Sequence, residues 1–151
     1  MARIDFYQLS RDPVEQVVPS LARKALASGA RLAVVHRDTD MRRRLSDALW
    51  AAEECFLAHG EAEGDHAARQ PILLSGEGDL ANGATIAVLA DGDIRSAAEQ
   101  FDRVLLLFGA ERTDAARDLW RRLGTAAGGG TSAHELHIFK QGPDGTWREG
   151  R

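Results

Sequence analysis

Cationic side chains beside an apolar strand end are the chain's clearest candidate chemistry. Arg117 and Arg121 stand four residues apart, so a helix carries both on one face, and Arg112 lies near that helix's start. The apolar run Val104–Phe108, closed by Gly109, ends just before them. Read one way, this is a site for an anionic group at an apolar edge. Read the other way, Asp114 and Asp118 partly neutralise the arginines and the helix face is solvated, laced with weak ion pairs. The residue types alone leave both readings open.

Residues suited to catalysis are poorly placed. Cys55 has no motif-linked histidine and no helix N-terminus to lower its pKa. His59 and His66 flank an acidic loop, and His134 and His137 are three apart in an expected strand, hence on opposite faces. No pairing has metal-ligand spacing, so these read as surface or partly packed histidines. Neither a GxSxG elbow nor a paired-carboxylate pattern occurs. A nucleotide-dependent enzyme would need glycines for close backbone approach to phosphate. The turn after the first strand is instead Ser10-Arg11-Asp12-Pro13, and no GxxxxGK[ST] follows. Gly76, Gly78 and Gly83 sit near a strand end, but Glu77 and Asp79 among them would repel a phosphate.

A second candidate is aromatic. Met41, Leu45, Ala48, Leu49 and Ala52 form one helical stripe, and Trp50, about 100° around from Leu49, does not belong to it. Phe56 follows shortly after the acidic pair Glu53-Glu54. Either the two aromatics form an exposed patch of the kind that contacts a partner, or Trp50 packs beneath a neighbouring loop.

These residues need a frame to hold them. Ile4, Phe6 and Leu9 open a strand, and Asp12-Pro13-Val14-Glu15 starts a helix with Asp12 as N-cap. Val14, Val17, Val18, Leu21 and Ala25 form its buried stripe, Gly29 caps its end, and Pro19 marks a kink or fresh start. Leu32–Val35 is a continuous apolar strand, followed by the helix from about Asp40. Gly60–Gln70 is an acidic surface loop, Pro71–Leu74 a short strand, and Asn82-Gly83 a turn. Ile86–Leu89 is a buried-type strand ending in the Asp91-Gly92-Asp93 turn, and Ala97–Phe101 is a short helix. Val104–Phe108 is the most apolar strand and therefore central. A helix over about Thr113–Leu123 presents Ala116, Leu119, Trp120 and Leu123 to the core, and Ala126–Gly130 is a flexible linker. His134–Gln141 and Thr146–Arg148, joined by Gly142-Pro143-Asp144-Gly145, form a hairpin. Alternating strands and helices at this spacing predict a mainly parallel α/β sheet.

Composition agrees with one domain over residues 1–151: 44% apolar and 28% charged residues supply an ordinary core and surface. A single cysteine fits a reducing cytosol. No apolar run approaches the ~20 residues of a membrane span, and Asp5 interrupts any signal h-region. Residues 51–100 hold two Lys/Arg against ten Asp/Glu. That acidic middle opposes direct binding of single-stranded DNA, which calls for aromatics interleaved with a basic groove.

Short motifs in a fixed order carry a resemblance. Phe6-Tyr7-Gln8-Leu9 is followed by Gly29-Ala30-Arg31-Leu32-Ala33-Val34, then by Leu45–Trp50 with Phe56–Gly60. Gln70–Leu74, Asn82-Gly83-Ala84, Phe101–Val104 and Ala116–Trp120 come after. The series resembles the chi subunit of bacterial DNA polymerase III holoenzyme, nearly end to end.

The resemblance implies a Rossmann-like fold that binds no nucleotide and needs no cofactor. It also implies a non-catalytic, cytoplasmic replication subunit. Such a subunit joins the clamp loader, through a psi-type partner, to the C-terminal tail of single-stranded DNA-binding protein. By that likeness Trp50 and Phe56 fall on the psi-facing surface, and Arg117 matches a basic residue that holds the tail. Thr113 stands where a second basic residue is expected, leaving Arg112 or Arg121 to supply that charge. Phe108 and Gly109 would border the pocket for the tail's apolar end. Ala58 replaces a common proline, and the hairpin extends past shorter members. The alternative is a small nucleotide-dependent enzyme on the same fold.

Overall fold

The computed structural model describes residues 3–52, 57–77, 82–94, 100–124 and 135–150. Its strands are β1 (Arg3–Gln8), β2 (Leu32–Val35), β3 (His59–Glu61), β4 (Ile72–Ser75), β5 (Ile86–Leu89), β6 (Arg103–Phe108), β7 (Glu135–Gln141) and β8 (Trp147–Glu149). Its α-helices are α1 (Val14–Ala27), α2 (Thr39–Trp50) and α3 (Thr113–Gly124). Among the described residues these strands make one sheet in the order β3-β4-β2-β5-β6-β1-β7-β8. Every pairing is parallel except β7 with β8, a C-terminal antiparallel hairpin. The architecture is therefore the mainly parallel α/β sheet flanked by helices that the alternation predicts.

Side-chain alternation divides the core between the two sheet faces. Tyr7, Val34, Leu74, Val88, Leu105 and Leu107 meet Val17, Val18 and Leu21 of α1 and Leu45 and Leu49 of α2. Ile4, Phe6, Ala33, Leu106 and Phe108 meet Ala116 and Leu119 of α3 on the other face. As expected, β6 is central, lying between β5 and β1.

Local signals hold with instructive exceptions. Gly29 takes φ +88° after α1, and the N–H groups of Gly29 and Ala30 donate to the carbonyls of Leu26 and Ala25, a Schellman closure. Helix α1 runs through Pro19 without a fresh start. Proline in a helix interior costs about 3 kcal/mol, which burial of Val17, Val18, Leu21 and Ala22 offsets. Asp12 is not the N-cap: Pro13 holds that position without a side-chain cap bond, and Asp12 accepts from Gln141 Nε2 at 2.8 Å. The acidic stretch after Gly60 is not wholly loop, because His59–Glu61 pairs with β4 as an edge strand and Ala67–Arg69 forms a 3-10 turn. His59 is buried rather than superficial. The expected Ala126–Gly130 linker, and most of the Ala97–Phe101 helix, lie outside the described residues.

The hairpin is fastened at both ends. Gln141 Oε1 accepts the backbone N–H groups of Ser10, Arg11 and Asp12 at 3.3, 3.0 and 3.1 Å. At the other end His137 bridges Glu135 and Glu149, its ring nitrogens 2.8 and 2.7 Å from their carboxylates. The hydrogen bond to Glu135, then that to Glu149, raises the His137 pKa above 6.5. The hydrogen bond to His137 lowers the pKa of Glu135. A raised histidine pKa contributes stability that is fully present below about pH 6.5 and is lost as pH rises through the folded value. The Glu135 shift contributes above the ordinary carboxylate range and fades as pH falls through its lowered value. Closure of β8 on β7 is thus expected to be tightest between these limits and to loosen toward alkaline pH. Trp147 fluorescence followed against pH checks this, with His137→Gln flattening the alkaline limb.

Candidate functional site

A cavity of about 340 Å³ opens between α3 and the sheet face at β6, β1 and β7. Register explains its floor. Phe6 stands opposite Leu106 and Ile138, and Gln8, two residues on, stands opposite Phe108 and Lys140. Residues two apart along a strand share a face, so Phe6, Gln8, Phe108, Ile138 and Lys140 all reach one side. From above, α3 adds Thr113, Ala116, Arg117, Trp120 and Arg121. The Trp120 ring meets Phe6 edge-on with centroids 5.1 Å apart, and Phe108 meets Phe6 at 6.4 Å. Apolar rings therefore form the floor, and three cations stand at the rim.

The rim is basic. Arg117, Arg121 and Lys140 are exposed, and no carboxylate lines the cavity. Arg121 lies 3.6 Å from Asp118, an exposed pair of small energetic weight. Arg117 and Lys140 have no ion-pair partner among the described residues. A guanidinium above an apolar floor suits a ligand with a carboxylate attached to an apolar group, because the fork can donate two parallel hydrogen bonds.

The structure brings Arg117, Arg121 and Phe108 together and places Arg112 and Gly109 elsewhere. Those two line a second cavity, of about 380 Å³, at the carboxyl ends of β5 and β6, which Phe108 also borders. Arg112 Nη2 donates to Asp93 there. Arg112 therefore cannot supply the charge missing at Thr113 without leaving Asp93. Phe6 and Trp120 were expected as core residues only, and Gln8, Ile138 and Lys140 were not expected at the site. The i, i+3 spacing of Arg117 and Trp120 was a usable signal, whereas the β7 contribution depends on its long-range pairing with β1.

Carboxyl ends of parallel strands are where α/β sheets hold nucleotides, so the second cavity bears on the enzyme alternative. Asp38, Asp91, Asp93 and Glu111 outnumber Arg37 and Arg112 in its lining, and a polyphosphate would meet net negative charge. The turn between β1 and α1 would ordinarily offer N–H donors to phosphate. Here the donors of Ser10, Arg11 and Asp12 already converge on Gln141 Oε1, and Pro13 has none. A side-chain amide occupies the place of the anion. Among the described residues, no three His, Cys, Asp or Glu side chains gather to hold a metal ion.

The aromatic candidate lies at the far end of α2. Trp50 is 53% exposed, and its ring covers His59 with centroids 4.3 Å apart. His59 Nδ1 lies 2.7 Å from the Leu57 carbonyl, so it is the donor there, and Nε2 accepts from the Ser46 hydroxyl at 2.7 Å. That pins the ring on which Trp50 rests. Phe56, like Cys55, lies outside the described residues.

A family model described as DNA polymerase III chi subunit, HolC, matches residues 1–128. No curated protein matches the chain. No helix among the described residues is long and apolar enough to cross a membrane.

Proposed function

The chain belongs to the DNA polymerase III chi subunit family, accessory subunits of the replicative polymerase, and from that premise we propose a non-catalytic adaptor acting as a single domain in the cytoplasm. It takes the C-terminal tail of single-stranded DNA-binding protein. It also takes a psi-type clamp-loader partner, through Trp50 and Phe56. The observation that carries this reading is the apolar cavity under α3, rimmed by Arg117, Arg121 and Lys140. An acidic tail ending in an apolar residue with a free carboxylate matches both its floor and its rim. An exposed tryptophan seated on a hydrogen-bonded histidine is a rigid anchor of the kind enriched at protein interfaces.

The test is fluorescence anisotropy with a labelled tail peptide at two salt concentrations. Binding is expected in the micromolar range or weaker, falling as salt screens the rim. Arg117→Ala should cost about 1.5–3 kcal/mol, the worth of hydrogen bonds to a charged group. Affinity indifferent to both Arg117→Ala and salt would move the tail site elsewhere.

A further inference from the structure

The cavity's two walls come from different parts of the chain. Helix α3 lies within the stretch matched by the family model, residues 1–128, whereas Ile138 and Lys140 belong to β7, beyond it. Strand β7 is nevertheless a fixed wall. It pairs with β1 from Arg3↔Glu135 to Gln8↔Lys140, and the next residue, Gln141, holds the turn after β1 through three backbone N–H groups. The backbone of Lys140 is thus set between a ladder partner and a buried side-chain clamp, while its ammonium stays exposed at the rim. Across the cavity stand Arg117 and Arg121, with Thr113 supplying only a hydroxyl, which donates to the Ala110 carbonyl at 2.9 Å.

We propose that Lys140 is a specificity-determining residue of this cavity, reading the acidic side chains upstream of the tail's terminal carboxylate. This deepens the tail-binding reading and rests on it. The two kinds of cation suit different tasks. Arg117 presents a planar fork that fixes one carboxylate in one orientation, as a chain terminus requires. A lysine ammonium is a point charge on a flexible stem, tolerant of where a carboxylate lies. Cations on opposite walls also leave room for the apolar residue between them, over Phe6 and Trp120. The hairpin therefore contributes binding charge as well as closing the sheet.

The experiment uses the full chain with labelled tail peptides in three forms: acidic with a free terminus, upstream acids changed to amides, and terminus amidated. Lys140→Gln should weaken the acidic peptide roughly two- to fivefold, the range of an exposed ion pair, and Lys140→Glu should weaken it further. Both effects should vanish with the peptide whose upstream acids are amides, as expected for a direct pair in a double-mutant cycle. The Arg117→Ala effect should persist with that peptide and vanish when the terminus is amidated. Unchanged melting temperatures would show the variants folded. Wild-type binding that responds to Arg117→Ala but not to Lys140→Glu would overturn this inference alone. An equal Lys140 effect on all three peptides would also overturn it. Failure of the wild-type chain to bind the acidic peptide would remove the tail reading and this inference with it.

Discussion

Phe6→Ala is expected to cost about 3–5 kcal/mol of stability and to abolish tail binding by the protein that remains folded. Phe6 is 1% exposed in a strand hydrogen-bonded on both sides, by β6 and β7. Its ring supports Phe108 and Trp120, the two aromatics that complete the cavity floor. Truncation therefore removes a core side chain and lets Trp120 drop into the space left behind. Phe6→Leu separates the two roles, because it keeps most of the apolar volume but not the edge-on contact with Trp120. Urea denaturation should show only a small loss for Phe6→Leu, while peptide binding still weakens. A Phe6→Ala protein of wild-type stability would mean that the ring is not core.

Arg103→Ala should be nearly as damaging, at about 3 kcal/mol, and worse than removing the acid it serves. Asp5 is fully buried, and its carboxylate accepts from Arg3 Nε and Arg103 Nε, each at 2.8 Å, with Arg103 Nη2 adding a third bond. Removing Arg103 strands a buried carboxylate on Arg3 alone, the costly direction for a buried pair. Asp5→Asn removes the charge instead, and both arginines, partly exposed, can turn their guanidiniums to water. Denaturant midpoints for the two variants give the ordering directly. An Asp5→Asn protein less stable than Arg103→Ala would show that the arginines, not the acid, depend on the pairing.

The elements of this fold were legible where the signal is local. Apolar runs marked β2, β5 and β6, the Schellman glycine marked the end of α1, and the Gly142–Gly145 turn marked the hairpin. Trp50 was legible as an off-stripe aromatic because helix angle alone sets it apart from Leu49, and it is exposed. Sheet order was not, since nothing near β1 says that β6 and β7 will flank it. For the same reason the site was read only in part. Arg117 and Arg121 share a helix face visible in their spacing, but Phe6 and Lys140 join them through pairings more than 90 residues apart. Arg42 was missed by the apolar stripe: it is buried on α2, with Nη1 donating to the His36 and Arg37 carbonyls at 2.7 and 3.2 Å. Asp12 misled because its side chain serves Gln141, a tertiary partner that displaces the cap.

The three tryptophans report separately on where the tail binds. Trp120 lines the cavity under α3, Trp50 lies exposed at the end of α2, and Trp147 packs against Tyr7 on the opposite sheet face, centroids 5.0 Å apart. Each indole N–H gives its own proton–nitrogen NMR resonance. Titration of the folded protein with the acidic tail peptide should shift the Trp120 indole resonance and leave those of Trp50 and Trp147 in place. A peptide that binds while moving Trp50, with Trp120 unchanged, would contradict the assignment of the tail to this cavity.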